Sequence, residues 1–221
     1  LHSIGGSTNA LIHLAAIAGR LGIRINLDKF DEMGRKTPVL VDLKPSGRHY
    51  MEHLFEAGGL APILKELQSF LHLDATTITG RRIGDVIDES RFWEGQQVVR
   101  SAADPLQPEG GLRILRGNLA PETAIIKQSA AAPELRKRQG RAVVFTSLDD
   151  MAQRIDSDEL DVTADDFLVL QNAGPKGAPG MPEAGYIPIP KKLARQGVRD
   201  MIRISDARMS GTAYGTIILH V

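Results

Sequence analysis

The densest run of reactive side chains is Ile204-Ser205-Asp206-Ala207-Arg208-Met209-Ser210-Gly211-Thr212. Three hydroxyls, an acid and a guanidinium fall within eight residues, where a strand is expected to end in a turn of small residues. Such a turn can hold a nucleophile or a base. A serine hydroxyl becomes a usable base only where a cation or a strong local field lowers its pKa. A polar β-turn with no chemistry explains the same residues equally well.

A second candidate is the stretch 173–190, in which nine of 18 residues are Gly or Pro. Flexible linkers seldom carry Met, Tyr and Ile between the breakers, so a fixed irregular loop is expected, and such loops often carry function. Glu183 is its one acid. A lone carboxylate on a stiff loop suits a hard cation such as Mg²⁺, although by spacing alone a solvated surface glutamate is favoured. Gly5-Gly6-Ser7-Thr8-Asn9 is a third candidate. Its glycines permit close backbone approach, and the helix it opens favours an anion at its free N–H groups. A tight turn with an N-cap accounts for it without any ligand. His49 and His53 stand four apart, but the intervening sequence lacks the HExxH pattern and a metal site there is not expected.

The elements that must position these residues can be read from periodicity. Leu11, Leu14, Ala15, Ala18 and Leu21 follow one helical face, with Ser7 or Thr8 as cap and Gly22 past the end. Residues 38–43 read as a buried strand. A helix is expected from Tyr50 to Ala57, with a break at Gly58-Gly59 and a resumption from Ile63 to Phe70. From Asp74 onward the texture changes. Short strands are expected over 112–115, 123–127, 142–146, 167–170, 202–205 and 216–221. Two helices interrupt them, one opened by Ser147 with capping-box spacing, the other over 190–196. The fold class is therefore read as α/β: residues 1–73 as the tail of an α/β domain, and residues 74–221 as a β-rich, barrel-like domain.

Composition bounds the function. The chain has 221 residues, with 27 Lys plus Arg balanced by 27 Asp plus Glu, so charge gives no reason to expect nucleic acid or an anionic membrane as partner. No apolar run reaches the ~18–20 residues that a membrane span needs. There is no cysteine, hence no disulfide and no thiolate ligand from this chain. The chain opens at Leu1 on a helix start and stops inside an expected strand, which reads as an internal fragment of a longer protein.

Taken together the motifs are more specific. Gly5-Gly6-Ser7-Thr8-Asn9-Ala10 comes first, then the run 37–47 from Thr37-Pro38-Val39 to Pro45-Ser46-Gly47, then Glu56-Ala57-Gly58-Gly59. The loop Gly174 to Glu183 and the turn Ser205 to Thr212 follow in order. The set resembles the dihydroxy-acid dehydratase / phosphogluconate dehydratase family, over nearly the whole chain.

The resemblance implies a hydro-lyase that converts a 2,3-dihydroxy carboxylic acid to a 2-keto-3-deoxy acid, using an iron–sulfur cluster ([2Fe–2S] or [4Fe–4S]) and Mg²⁺. It implies Glu183 as a Mg²⁺ ligand, Ser210 as the base that takes the C2 proton, and Thr212 as a substrate contact. It implies a cluster-bearing N-terminal α/β domain, a barrel-like C-terminal domain and a homodimer or homotetramer. A cytoplasmic location is expected. The cluster cysteines and the remaining Mg²⁺ ligands of the family lie upstream of the Gly5-Gly6 motif, so this polypeptide alone is expected to bind no cluster and to be inactive. The turn Ser205 to Thr212 is similar to the sugar-acid branch, of arabinonate and xylonate type. The branch that serves branched-chain amino-acid synthesis more often has glycine where Thr212 stands. A non-catalytic anion-binding or interaction module remains the alternative outside enzymology.

Overall fold

The computed structural model describes residues 1–44, 46–177, 183, 186–209 and 214–221. They form two compact units: residues 1–6 with 32–111, and residues 7–31 with 112–221. The chain therefore leaves the first unit after Gly6 and re-enters it within a helix.

In the first unit the expected strand over 38–43 is an extended segment held by isolated bridges. Val39 pairs with Gln107, Val41 with Val99 and Leu43 with His49. The segment is buried because Leu40 and Val41 pack with Leu54, Ala57, Ile63, Val98 and Val99. Each such aliphatic side chain contributes about 1.5–3 kcal/mol when removed from water. Three short helices belong to the same unit: α3 (Met51–Glu56), α4 (Leu60–Glu66) and α5 (Ile83–Glu89). The break between α3 and α4 falls at Gly58-Gly59, with φ of 110° and 63°. A Cβ on Gly58 would also lie 2.5 Å from the Cβ of Phe92. α4 starts earlier than the sequence suggests, and its continuation tightens into a 3-10 turn over Gln68–Phe70. Trp93, the single tryptophan, is 65% exposed.

In the second unit, α1 (Thr8–Arg20) forms as expected and Ser7 caps it, its Oγ accepting from the Asn9 N–H at 3.1 Å. Of its apolar stripe only Leu11 is buried, and Leu21 is 76% exposed. Periodicity specifies the stripe, but burial needs a second surface against it. α2 (Leu27–Lys36), which begins in this unit and ends in the first, is not among the elements expected from periodicity. Its Asp28 in the first turn and Arg35 and Lys36 in the last complement the helix dipole.

The six expected strands are all present: β1 (Arg113–Leu115), β2 (Ala124–Ile126), β3 (Ala142–Phe145), β4 (Phe167–Leu170), β5 (Arg203–Ser205) and β6 (Ile217–Leu219). They form one mixed sheet in the order β1-β2-β6-β5-β4-β3. β3 to β6 run parallel, while β1–β2 and β2–β6 are antiparallel. α6 (Leu148–Arg154) lies between β3 and β4 in sequence, and α7 (Lys191–Arg195) between β4 and β5. The α/β class is thus observed, and the barrel expectation is corrected: among the described residues the sheet is open, with β1 and β3 as its edges. Parallel neighbours need long crossovers, here partly helical. The near-continuous apolar run Phe167-Leu168-Val169-Leu170 is the signature of such a strand. Among the described residues no helix is long and apolar enough to cross a membrane.

Candidate functional site

The Gly/Pro-rich loop after β4 and the polar turn after β5 are joined at three levels, all within the second unit. At the loop entry, the Ala173 N–H donates to Asp206 Oδ1 at 3.1 Å. Gly174 passes so close that a Cβ there would lie 2.4 Å from the Asp206 carbonyl oxygen. Glycine is required for this approach. In the middle, the backbones of Glu183 and Arg208 form an isolated parallel bridge. At the exit, the buried Arg203 guanidinium donates through Nη1 to the Ile187 carbonyl at 3.1 Å and lies 5.1 Å from the Tyr186 ring.

Arg203 is the pivot of that exit. Its side chain is fully buried beside Asp200, which accepts from Arg203 Nη2 at 2.8 Å. Asp200 also accepts from the Thr216 N–H at 2.9 Å and from Thr216 Oγ1 at 2.7 Å. One ion pair therefore fixes the return of the Glu183 loop and the return of the turn that carries Ser210 in sequence. A buried pair of this kind is tolerable because hydrogen bonds satisfy its remaining donors and acceptors.

Of the three expected site residues, Glu183 lies among the described residues. Its side chain is 39% exposed, and Oε1 accepts from Asn9 Nδ2 at 2.7 Å. Arg208 Nε stands 4.0 Å from the same oxygen. Asn9 Nδ2 also lies 3.4 Å from the Met209 carbonyl oxygen. The Ser7 cap sets the first turn of α1, and this presents the Asn9 amide. Ser210 and Thr212 lie outside the described residues.

Around Glu183 several polar atoms are buried without a hydrogen-bond partner: Thr8 Oγ1, Asn9 Oδ1 and Arg208 Nε. His220, at the end of β6 with φ of 56°, adds an unpartnered Nε2. Burial lowers the His220 pKa to about 4, with the Arg208 charge adding to the shift, so the ring is neutral near pH 7. Unpartnered buried polar atoms are uncommon and often mark functional sites.

Other hydroxyls and acids of the turn have structural work. Ser205 is buried, and its Oγ accepts from the Ala207 N–H at 3.0 Å. Asp206 is engaged with the loop entry. A cavity of about 300 Å³ opens beyond the carboxyl ends of β4 and β5, next to Asn172, Ser205 and Asp206. Ligands of open parallel sheets commonly bind at that end. His49 and His53 meet edge to face at 5.7 Å, and His53 Nδ1 accepts from the Tyr50 N–H at 3.1 Å. Among the described residues no three His, Asp or Glu side chains converge as a metal-ligand set. The donor set of this chain thus offers Glu183 as one hard ligand for Mg²⁺ and, with no cysteine, no thiolate for an iron–sulfur cluster.

Sequence reasoning marked the loop, the turn and the Gly5–Asn9 motif. It missed that Asn9 joins the other two, and it missed the Asp200–Arg203 pair. A readable signal existed for the pair: an arginine flanked by Ile202 and Ile204 interrupts an otherwise apolar strand.

Comparison with known proteins shows the family. Residues 1–86 match the N-terminal model, and residues 97–221 the C-terminal model, of the dihydroxy-acid/6-phosphogluconate dehydratases. The chain belongs to this family. It is 52% identical to an L-arabonate dehydratase of Azospirillum brasilense and 50% identical to an L-arabinonate dehydratase of Rhizobium leguminosarum bv. trifolii. It is 39% identical to a dihydroxy-acid dehydratase of Acetivibrio thermocellus. Each match covers 99% of this chain, and the chain spans 38% of the length of the first two relatives and 39% of the third.

Proposed function

We propose that this chain is part of a hydro-lyase that dehydrates a sugar acid of arabinonate type to its 2-keto-3-deoxy acid. The observation that carries the reading is the anchoring of Glu183 beside the Arg208–Met209 turn, by a side chain from α1. The Glu183 loop and the Arg208–Met209 segment thereby meet within the second unit. Glu183 would supply a carboxylate to Mg²⁺, which when bound would provide Lewis-acid stabilisation of the charge that develops on the substrate. Ser210, as its alkoxide, takes the proton from C2; the C3–O bond breaks, the departing hydroxide takes that proton back from Ser210 and leaves as water, and the enol so formed tautomerises to the 2-keto acid. Thr212 holds a substrate hydroxyl. This chain has no cysteine to ligate the cluster; its ligands would come from another part of the protein.

The sugar-acid branch is supported by the identity to the two arabinonate dehydratases, and by the hydroxyl that Thr212 offers in the turn. We place the enzyme in the cytoplasm as a homodimer or homotetramer, which light scattering after size exclusion would establish.

The test is formation of 2-keto acid by the full-length protein, prepared anaerobically with Mg²⁺, from L-arabinonate, D-xylonate and 2,3-dihydroxyisovalerate. Turnover of a sugar acid, abolished by Ser210→Ala and by Glu183→Ala, is the expected result. Turnover of dihydroxyisovalerate alone overturns the substrate class. A protein with no turnover of any of the three and no bound cluster is a binding module instead.

A further inference from the structure

Beyond the metal, base and substrate roles of Glu183, Ser210 and Thr212 stand three features: the cavity beyond β4 and β5, the His49–His53 pair and the Asn9 amide. Asn9 carries the most. Its Nδ2 reaches two segments far away in sequence, the Glu183 carboxylate at 2.7 Å and the Met209 carbonyl at 3.4 Å. Its Oδ1 is buried with no partner. An asparagine that served only the helix start would use its side chain on the first-turn N–H groups. That task belongs to Ser7, whose Oγ accepts from the Asn9 N–H itself.

We infer that Asn9 is a positioning residue for cation binding. It holds Oε1 of Glu183 and thereby leaves Oε2, to which no described residue donates, as the oxygen that meets a divalent cation. The inference rests on the reading of Glu183 as a metal ligand. Three observations favour it over a packing role. The amide donates to the charged group and not to its own helix. The orientation of the amide is fixed chemically, because both of its near neighbours are oxygen acceptors, so the nitrogen must face them. The same amide ties Glu183 to the carbonyl immediately before Ser210, so the position of the acid is coupled to the turn. A donor behind a ligating carboxylate fixes which lone pairs face the metal, and loss of such a partner typically weakens metal affinity about 10–100-fold.

The experiment uses the full-length protein and Mn²⁺ as a probe of the Mg²⁺ site, with free Mn²⁺ read by electron paramagnetic resonance. Asn9→Leu keeps the volume and removes the donor, while Asn9→Gln keeps a donor on a longer arm. The expected result is Mn²⁺ affinity reduced by about 10–100-fold in Asn9→Leu, with Asn9→Gln between it and the wild type, and with thermal midpoints that do not follow the affinities. Wild-type affinity in both Asn9 variants, alongside its loss in Glu183→Ala, overturns the inference alone. Wild-type affinity in Glu183→Ala removes Glu183 as a ligand and overturns both readings together. Should the Asn9 variants not fold, a crystal structure of the unaltered protein with Mn²⁺ decides. An anomalous peak on Glu183, with the Asn9 amide still on its carboxylate, supports the inference, and a peak elsewhere or a displaced amide overturns it.

Discussion

Asn9 and Glu183 are 174 residues apart in sequence and 2.7 Å apart between Nδ2 and Oε1. The contact closes a triangle with Met209 and makes the start of α1 part of the same site as the loop after β4 and the turn after β5. The loop and the turn meet the first turn of α1 outside the six-stranded sheet. Their positions follow from a few fixed points: the Ser7 cap, the Gly174 approach, the Glu183–Arg208 bridge and the Asp200–Arg203 pair.

The Asp200–Arg203 pair yields the largest stability effect. Arg203→Met leaves the Asp200 carboxylate buried without its counter-charge and frees the Ile187 carbonyl. Removal of one partner of such a pair costs about 3–5 kcal/mol. Urea unfolding of the full-length protein followed by circular dichroism is expected to show a midpoint lowered accordingly. Dehydratase activity should fall with it, even under conditions where the variant remains folded, because the exits of both loops lose their common anchor.

Gly174 gives a sharper local test. An alanine Cβ would sit 2.4 Å from a backbone oxygen that cannot swing away. Gly174→Ala is expected to cost about 1–3 kcal/mol through the forced shift of the loop entry. Gly117→Ala is the matched control, since nothing lies within 4 Å of the added methyl, and a change within about 0.5 kcal/mol is expected. Thermal melts of the two variants, side by side, separate a steric requirement from a general intolerance of alanine.

Much of this architecture is legible in the sequence, for reasons that differ by element. The strands from β1 to β6 are visible because apolar, β-branched runs end at Gly, Pro or Asp. How they pair is not visible, since periodicity says nothing about neighbours, and the expected barrel became an open mixed sheet. α2 was hidden because its helical period is written largely in charged residues. The segment 38–43 reads as a strand because burial and extension leave the same pattern as a sheet member, whereas the structure gives it isolated bridges only. Glu183 stands out in the sequence as the lone acid of its loop, although spacing alone favours a solvated surface glutamate over one bonded to another segment. That Asn9 is its partner is not legible, because a hydrogen bond across 174 residues leaves no local spacing.

His220 predicts a pH dependence with a definite sign. Its folded-state pKa is lowered by burial, with help from the Arg208 charge, from 6.5 to about 4. Between those values the unfolded chain binds a proton that the folded chain refuses, so stability should decline as pH falls from about 6.5 to about 4. The contribution is complete above that window. Two measurements check this: the His220 ring resonances should titrate near 4, and His220→Asn should flatten the fall of the unfolding free energy across the same interval. A midpoint near 6.5 would show that the ring reaches solvent freely.

Thr212 addresses the choice of substrate. A sugar acid presents more hydroxyls than dihydroxyisovalerate does, and each one buried without a partner opposes binding. In the proposed enzyme the Thr212 hydroxyl accepts or donates one of those hydrogen bonds, which at about 1–1.5 kcal/mol corresponds to roughly tenfold in kcat/KM. Thr212→Gly in the full-length protein should therefore lower kcat/KM for L-arabinonate by about tenfold, while turnover of dihydroxyisovalerate, which lacks the extra hydroxyls, changes much less. Thr212→Ser keeps the hydroxyl and should retain most of the preference. Equal losses on both substrates would place Thr212 in the scaffold of the turn and leave selection of the sugar acid to other residues.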